Sequence, residues 1–155
     1  MRKYFFLFLI LLLPACWENK NTGPVEVKFG RDQCTFCGMM IEDPRFAAQI
    51  RGGEKNKAYK FDDLGDALTW LKRQSWADDP KVEIWVGDIN TAKWVDARKA
   101  FYIKGVRSPM DHGYGAVAEA GPNTINFEQM REKVYERGAP NICEPESSTQ
   151  ENDKK

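Results

Sequence analysis

Apolar and polar residues alternate soon after residue 24, where Val25, Val27 and Phe29 take turns with Glu26 and Lys28. A period of two puts one kind of side chain on each face of an extended chain, so this stretch predicts a half-buried strand. Residues 45–51 (Arg-Phe-Ala-Ala-Gln-Ile-Arg) predict a second strand, Gly52-Gly53 a hairpin turn, and residues 57–61 a third strand. Leu64, Ala67, Leu68 and Leu71 then recur at helical spacing, with Asp62 placed to cap the helix. The alternation returns at Val82, Ile84 and Val86, with Glu83 and Trp85 between them. Gly87-Asp88 marks a turn, Trp94 and Val95 resume an extended run, and residues 100–103 form another short strand candidate. A loop over 105–115 leads to an extended stretch at 116–120 and a turn at Gly121-Pro122-Asn123. Phe127, Met130, Val134 and Tyr135 then line one face of a final helix.

Strands followed by a helix thus occur twice, and the echo of Phe61-Asp62 in Phe127-Glu128 points to internal duplication. The expected class is α+β, with two similar β-rich halves each ending in a helix.

The two ends of the chain read differently from its middle. Arg2 and Lys3 precede an apolar run over residues 4–13, and Leu13-Pro14-Ala15-Cys16 closes it. That is the layout of a secretory signal, too short to stand as a permanent span of about 20 apolar residues. Its ending looks like a bacterial lipoprotein signal, in which Cys16 is acylated and becomes the first mature residue. An ordinary secretory signal or a short membrane anchor is the alternative. The expected organisation is a signal peptide at 1–15, a lipidated polar tether at 16–23, one metal-binding domain at 24–143 and a disordered charged tail at 144–155. The expected location is the cell envelope, as a periplasm-facing lipoprotein on the inner or the outer membrane.

Composition narrows the chemistry. Lys+Arg and Asp+Glu both number 23, a balance that gives no basic surface for nucleic acid. With 42% hydrophobic and 12% aromatic residues the middle can bury a core without help from metal. No Ser-His-Asp order, Gly-rich phosphate loop or zinc-protease helix is present, so hydrolysis and phosphoryl transfer are not expected, and the chain reads as a non-enzyme.

What remains is sulfur. Residues 34–41, Cys-Thr-Phe-Cys-Gly-Met-Met-Ile, gather two thiols and two thioethers beside a glycine. Thiolates and thioethers are polarizable donors that favour monovalent copper over hard cations. Two residues between the cysteines let both sulfurs turn toward one ion, and Gly38 allows the backbone to reverse. The same pair also suits half of a zinc site, a thioredoxin-like redox loop or a local disulfide. Outside the cytoplasm a cysteine pair is ordinarily oxidised, and bound Cu(I) would protect it. A second candidate lies at Ser108-Pro109-Met110-Asp111-His112-Gly113, which holds the chain's only histidine. In an extended segment Met110 and His112 share a side and could reach one ion, although the same loop also suits a surface histidine with Met110 in the core. Met130 and the tryptophans Trp70, Trp76, Trp85 and Trp94 read as packing.

The Cys-x-x-Cys-Gly-Met-x-Ile motif at 34–41, behind a lipoprotein signal and ahead of the Ser-Pro-Met loop, resembles the NosL family of copper-binding lipoproteins. The resemblance implies a Cu(I) chaperone outside the cytoplasmic membrane that supplies nitrous oxide reductase and works with an ABC-type maturation complex. It also implies two similar halves related to a lobe of the organomercurial lyases. Carried over by position, Cys34, Cys37 and Met39 match the first motif and Met110 the later Pro-Met, where Asp111 stands in place of the family's glycine. Cys143 has no counterpart.

The expected copper set is therefore one or both of Cys34 and Cys37 as anchors, completed by Met39 and then by Met110 or His112. The competing readings are a periplasmic thiol-disulfide oxidoreductase cycling Cys34 and Cys37, and a structural zinc module drawing on His112 and Cys143.

Overall fold

The computed structural model describes residues 21–138. The signal peptide, Cys16, most of the tether, Cys143 and the tail lie outside the described residues. The elements in order are β1 (Ala48–Gly52), β2 (Lys57–Phe61), α1 (Leu64–Leu71), β3 (Glu83–Gly87), β4 (Trp94–Asp96), β5 (Phe101–Lys104), β6 (Tyr114–Val117), β7 (Thr124–Asn126) and α2 (Phe127–Arg137). They make a mixed α+β fold with two antiparallel sheets, ordered β2-β1-β3-β4 and β6-β5-β7. Among the described residues no helix is long and apolar enough to cross a membrane.

The apolar alternation drives the first sheet. Ile50 of β1 stands opposite Tyr59 of β2 and Ile84 of β3, and Ile50 and Ile84 enter the core with Phe61, Leu68 and Val134. Each such fully buried side chain contributes about 1.5–3 kcal/mol. Tyr102 of β5 is also wholly buried, its hydroxyl satisfied by donating to the Ala97 carbonyl at 2.6 Å. The two sheets are stitched at one point: Asp88 bridges to Ala116, Ile89 N–H donates to the Ala116 carbonyl, and the Asp88 carboxylate accepts from Ala118 N–H at 2.9 Å. Helices α1 and α2 pack against each other, closing the core between the sheets.

The predicted strand over residues 25–29 is corrected by the structure, which places this arm outside both sheets. Its backbone is held by side chains instead. Gln49 accepts from Val25 N–H and donates to the Val25 carbonyl, both at 2.9 Å. Arg51 donates to the Gly23 carbonyl, and Glu83 accepts from Gly23 N–H. On a strand, Gln49 and Arg51 point away from Ala48 and Ile50, so the arm runs over the polar face of the sheet. That is why all five residues of β1 are buried, including Gln49 and Arg51. The alternation at Val25, Val27 and Phe29 registers an extended chain, and only Val27 among them is buried.

Other boundaries shift for local reasons. The turn that begins at Asp43-Pro44 runs on to Phe46, with the Asp43 carbonyl accepting from Phe46 and Ala47 N–H, so β1 begins at Ala48 rather than at 45. Asp63, not Asp62, caps α1, its carboxylate accepting from Gly65 N–H at 2.8 Å. The extended stretch expected at 116–120 lies earlier, at Tyr114–Val117, because β6 follows β5 from Phe101↔Val117 to Lys104↔Tyr114. β7 is an addition to the expected elements, a three-residue strand whose last residue, Asn126, forms a capping box with Gln129 at the start of α2.

Candidate metal centre

The cysteine bend is a narrow hairpin. Gln33 and Met40 form an antiparallel bridge, Cys34 N–H donates to the Met39 carbonyl at 2.8 Å, and Gly38 N–H returns to the Cys34 carbonyl at 3.0 Å. Gly38 has φ +76°, a left-handed conformation that costs a side-chain-bearing residue about 1–2 kcal/mol. Cys37 N–H approaches Cys34 Sγ at 3.5 Å, so the two thiols curl toward the same space. The tip is sewn to β2: Thr35 N–H donates to the Lys60 carbonyl, and the Thr35 hydroxyl accepts from Lys60 N–H. Phe36 lies beneath the Arg73 guanidinium at 5.1 Å.

This seam lowers the bend onto the start of α1. Asp62 stands just before the Asp63 cap and Asp66 lies in the first turn of α1. Cys37 Sγ lies 3.6 Å from Asp62 Oδ1, and Cys34 Sγ lies 3.8 Å from Asp66 Oδ2. One ligand atom from each of Cys34, Cys37, Asp62 and Asp66 lies within 4.8 Å of the others. Cys34, Asp62 and Asp66 are buried, and Cys37 is half-buried. Both cysteines are free thiols.

Burial sets the electrostatics. Loss of solvation pushes the Cys34 thiol up to about 11, and it raises Cys37 well above the ordinary thiol range. The same cause lifts the carboxyls of Asp62 and of the cap Asp63. The pocket therefore holds protonated thiols whose hydrogens point to the carboxyl groups of Asp66 and Asp62. Two sulfurs with two adjoining proton acceptors fit a soft monovalent cation, and the donor set as a whole can hold a metal.

The remaining candidates are spread around this cluster. Met39 stands half-exposed at the rim at 50%, with Met40 next to it at 53%. Met110 is buried, its backbone N–H donating to Asp63 Oδ2 at 3.3 Å. His112 is also buried, and its Nε2 lies 3.0 Å from Asp66 Oδ1. The structure thus brings Cys34 and Cys37 together and reaches His112 through Asp66, while Met39 and Met110 take opposite environments. Asp62 and Asp66 were missed as site residues. On a helix, Asp66 falls opposite the stripe of Leu64, Ala67, Leu68 and Leu71, where periodicity assigns solvent, yet the cysteine bend and the 108–113 loop roof that face.

Comparison with known proteins adds three findings. The family model described as NosL matches residues 24–131. Among solved structures, the crystal structure of the copper chaperone NosL from Shewanella denitrificans is similar at TM-score 0.48 and 18% identity, over 74% of this chain and 87% of that one. No curated protein matches the chain.

Proposed function

We propose, from the premise that this chain belongs to the NosL family, that it is a membrane-anchored carrier that holds Cu(I) at Cys34 and Cys37 and passes it to a cuproprotein. The observation that carries the reading is the pair of free thiols facing Asp62 and Asp66, with all four ligand atoms within 4.8 Å of one another. When cuprous ion enters, each S–H bond gives way to a sulfur–copper bond. The released proton passes to the adjoining carboxylate, Asp66 for Cys34 and Asp62 for Cys37. No electron moves and copper stays Cu(I). Two thiol–carboxylate pairs and one cuprous ion become two carboxylic acids and a copper dithiolate with a single negative charge, so the buried pocket carries less charge loaded than its two carboxylates carry alone.

The half-exposed thioether of Met39 supplies a third soft donor at the mouth, where an acceptor's ligands can replace those of the carrier one at a time. Nitrous oxide reductase is the proposed client, with an ABC-type maturation complex at the hand-off and a lipid on Cys16 holding the carrier to the periplasmic face of the envelope. These assignments follow the family resemblance of the 34–41 motif. The reading of the fold as two similar halves is supported by one shared feature. Each helix starts directly from an edge strand, α1 after β2 and α2 after β7.

A thiol-disulfide oxidoreductase is the weaker reading. Its attacking cysteine needs a thiolate near neutral pH, whereas burial pushes both thiols up, and no helix begins at Cys34.

The test is an anaerobic Cu(I) titration against a chromophoric chelator. The protein should hold one ion per chain, and Cys34→Ser/Cys37→Ser should lose at least 100-fold in affinity while keeping its thermal midpoint within about 5 °C. Equal competition by the double variant would end the proposal.

A further inference from the structure

The buried imidazole of His112 has an arrangement that the copper reading does not use. Its Nε2 is committed to Asp66 Oδ1 at 3.0 Å, with the two side chains 1% and 0% exposed. Its Nδ1 is the one buried side-chain nitrogen or oxygen without a hydrogen-bond partner among the described residues. The ring lies flat against Gly65, where an added Cβ would come within 2.1 Å of Cγ and 2.3 Å of Nδ1. A hydrogen on Nδ1 would be buried with no acceptor, so the proton belongs on Nε2, and the imidazole donates to Asp66. The other oxygen of that carboxylate, Oδ2, faces Cys34 Sγ at 3.8 Å.

We propose that His112 is a positioning residue for copper uptake rather than a copper ligand: it holds the Asp66 carboxylate with one oxygen turned to Cys34 Sγ. The proposal rests on the copper-carrier reading and assigns the 108–113 loop a task within it. His112 comes from the connection between β5 and β6, while Asp66 and Gly65 belong to α1. The second sheet therefore fixes the angle of a carboxylate at a site otherwise built from the first. Gly65 is required because any larger residue would lift the ring off the helix. Two further contacts set the loop in place: Met110 N–H on Asp63, and Arg137 of α2 gripping the Asp111 carbonyl at 2.6 Å and its carboxylate at 3.1 Å.

Two variants separate positioning from bulk packing. His112→Ala removes the donor, and His112→Gln restores an N–H near the place of Nε2. In the anaerobic chelator competition, His112→Ala is expected to lose about tenfold or more in Cu(I) affinity and His112→Gln to recover most of it. X-ray absorption of the copper-loaded wild type should show sulfur neighbours without the outer-shell scattering of an imidazole, unchanged in His112→Gln. Imidazole scattering in the wild type that vanishes in His112→Gln would overturn the proposal by making His112 a ligand. An affinity of His112→Ala equal to the wild type, or a His112→Gln variant no better than His112→Ala, would also overturn it. Thermal unfolding of each variant identifies any loss due to the fold. If the wild type itself fails to retain Cu(I), the carrier reading has failed, an outcome distinct from these.

Discussion

At the scale of single residues, the pocket trades stability for cargo. Asp62 is buried, and loss of solvation followed by the nearby Asp66 charge raises its carboxyl above the usual range. A raised acid favours the fold when protonated and weighs against it once pH climbs through the folded-state value. Asp62→Asn removes that cost, and a gain of about 1 kcal/mol in unfolding free energy at pH 7 is expected, shrinking as pH falls toward 4. The same variant should bind Cu(I) less tightly, because Cys37 loses its proton acceptor. Denaturant melts at both pH values, with a copper titration at pH 7, check both halves of the expectation. In the wild type, copper competes with protons for sulfur, so affinity should fall on acidification. With the Cys34 thiol at about 11, it should still be climbing at pH 9.

The legible and the hidden parts of the site differ for a physical reason that also works residue by residue. Cys34 and Cys37 announce themselves by spacing, since a two-residue gap lets adjacent sulfurs converge with no help from the rest of the fold. Asp62 and Asp66 do not, because the face they occupy is covered only by tertiary contacts from residues 34–37 and 108–113. The only histidine was legible as chemistry, but its partner was not: the Asp66 contact spans 46 positions.

At the scale of elements, strands with an alternation of their own are readable, β3 included although its partner β1 lies far back in the chain, and strands without one are not. The hairpin of β1 and β2 follows from local alternation around Gly52-Gly53. β7 has three residues and owes its existence to register with Phe101–Ile103 rather than to any pattern of its own. The arm at 25–29 carries a strand's alternation without a ladder, since side chains of Gln49, Arg51 and Glu83 satisfy its backbone. In the cysteine bend, the left-handed Gly38 faces open space, so a side chain there meets no neighbour and pays only in backbone strain. Gly38→Ala should lower stability by about 1 kcal/mol in denaturant unfolding while Cu(I) is still bound. A loss of several kcal/mol would mean that the bend is integral to the core.

At the scale of the whole molecule, the proposed copper pocket draws on both sheets. The bend and α1 belong with the first, and the 108–113 loop leaves the second, so the stitch at Asp88 and Ala116 helps fix their spacing. The proposed lipid on Cys16 lies only a short polar stretch ahead of the arm. Cys16→Ser should shift the protein from the membrane to the soluble fraction and abolish incorporation of labelled palmitate, with the purified domain binding Cu(I) as before. Retention of label would remove Cys16 as the anchor.

The arm over the polar face of the first sheet also fixes an order of events. It has no strand partner of its own, and its hydrogen bonds go to side chains that stand in line only after β1 and β3 have paired. The hairpin of cysteines is the next stretch of chain, so its final shape waits for the same step. If the chain is the carrier proposed above, a polypeptide whose β1 and β3 have not yet paired displays two bare sulfurs but no cradle, and loading with metal should wait until the last belt is fastened.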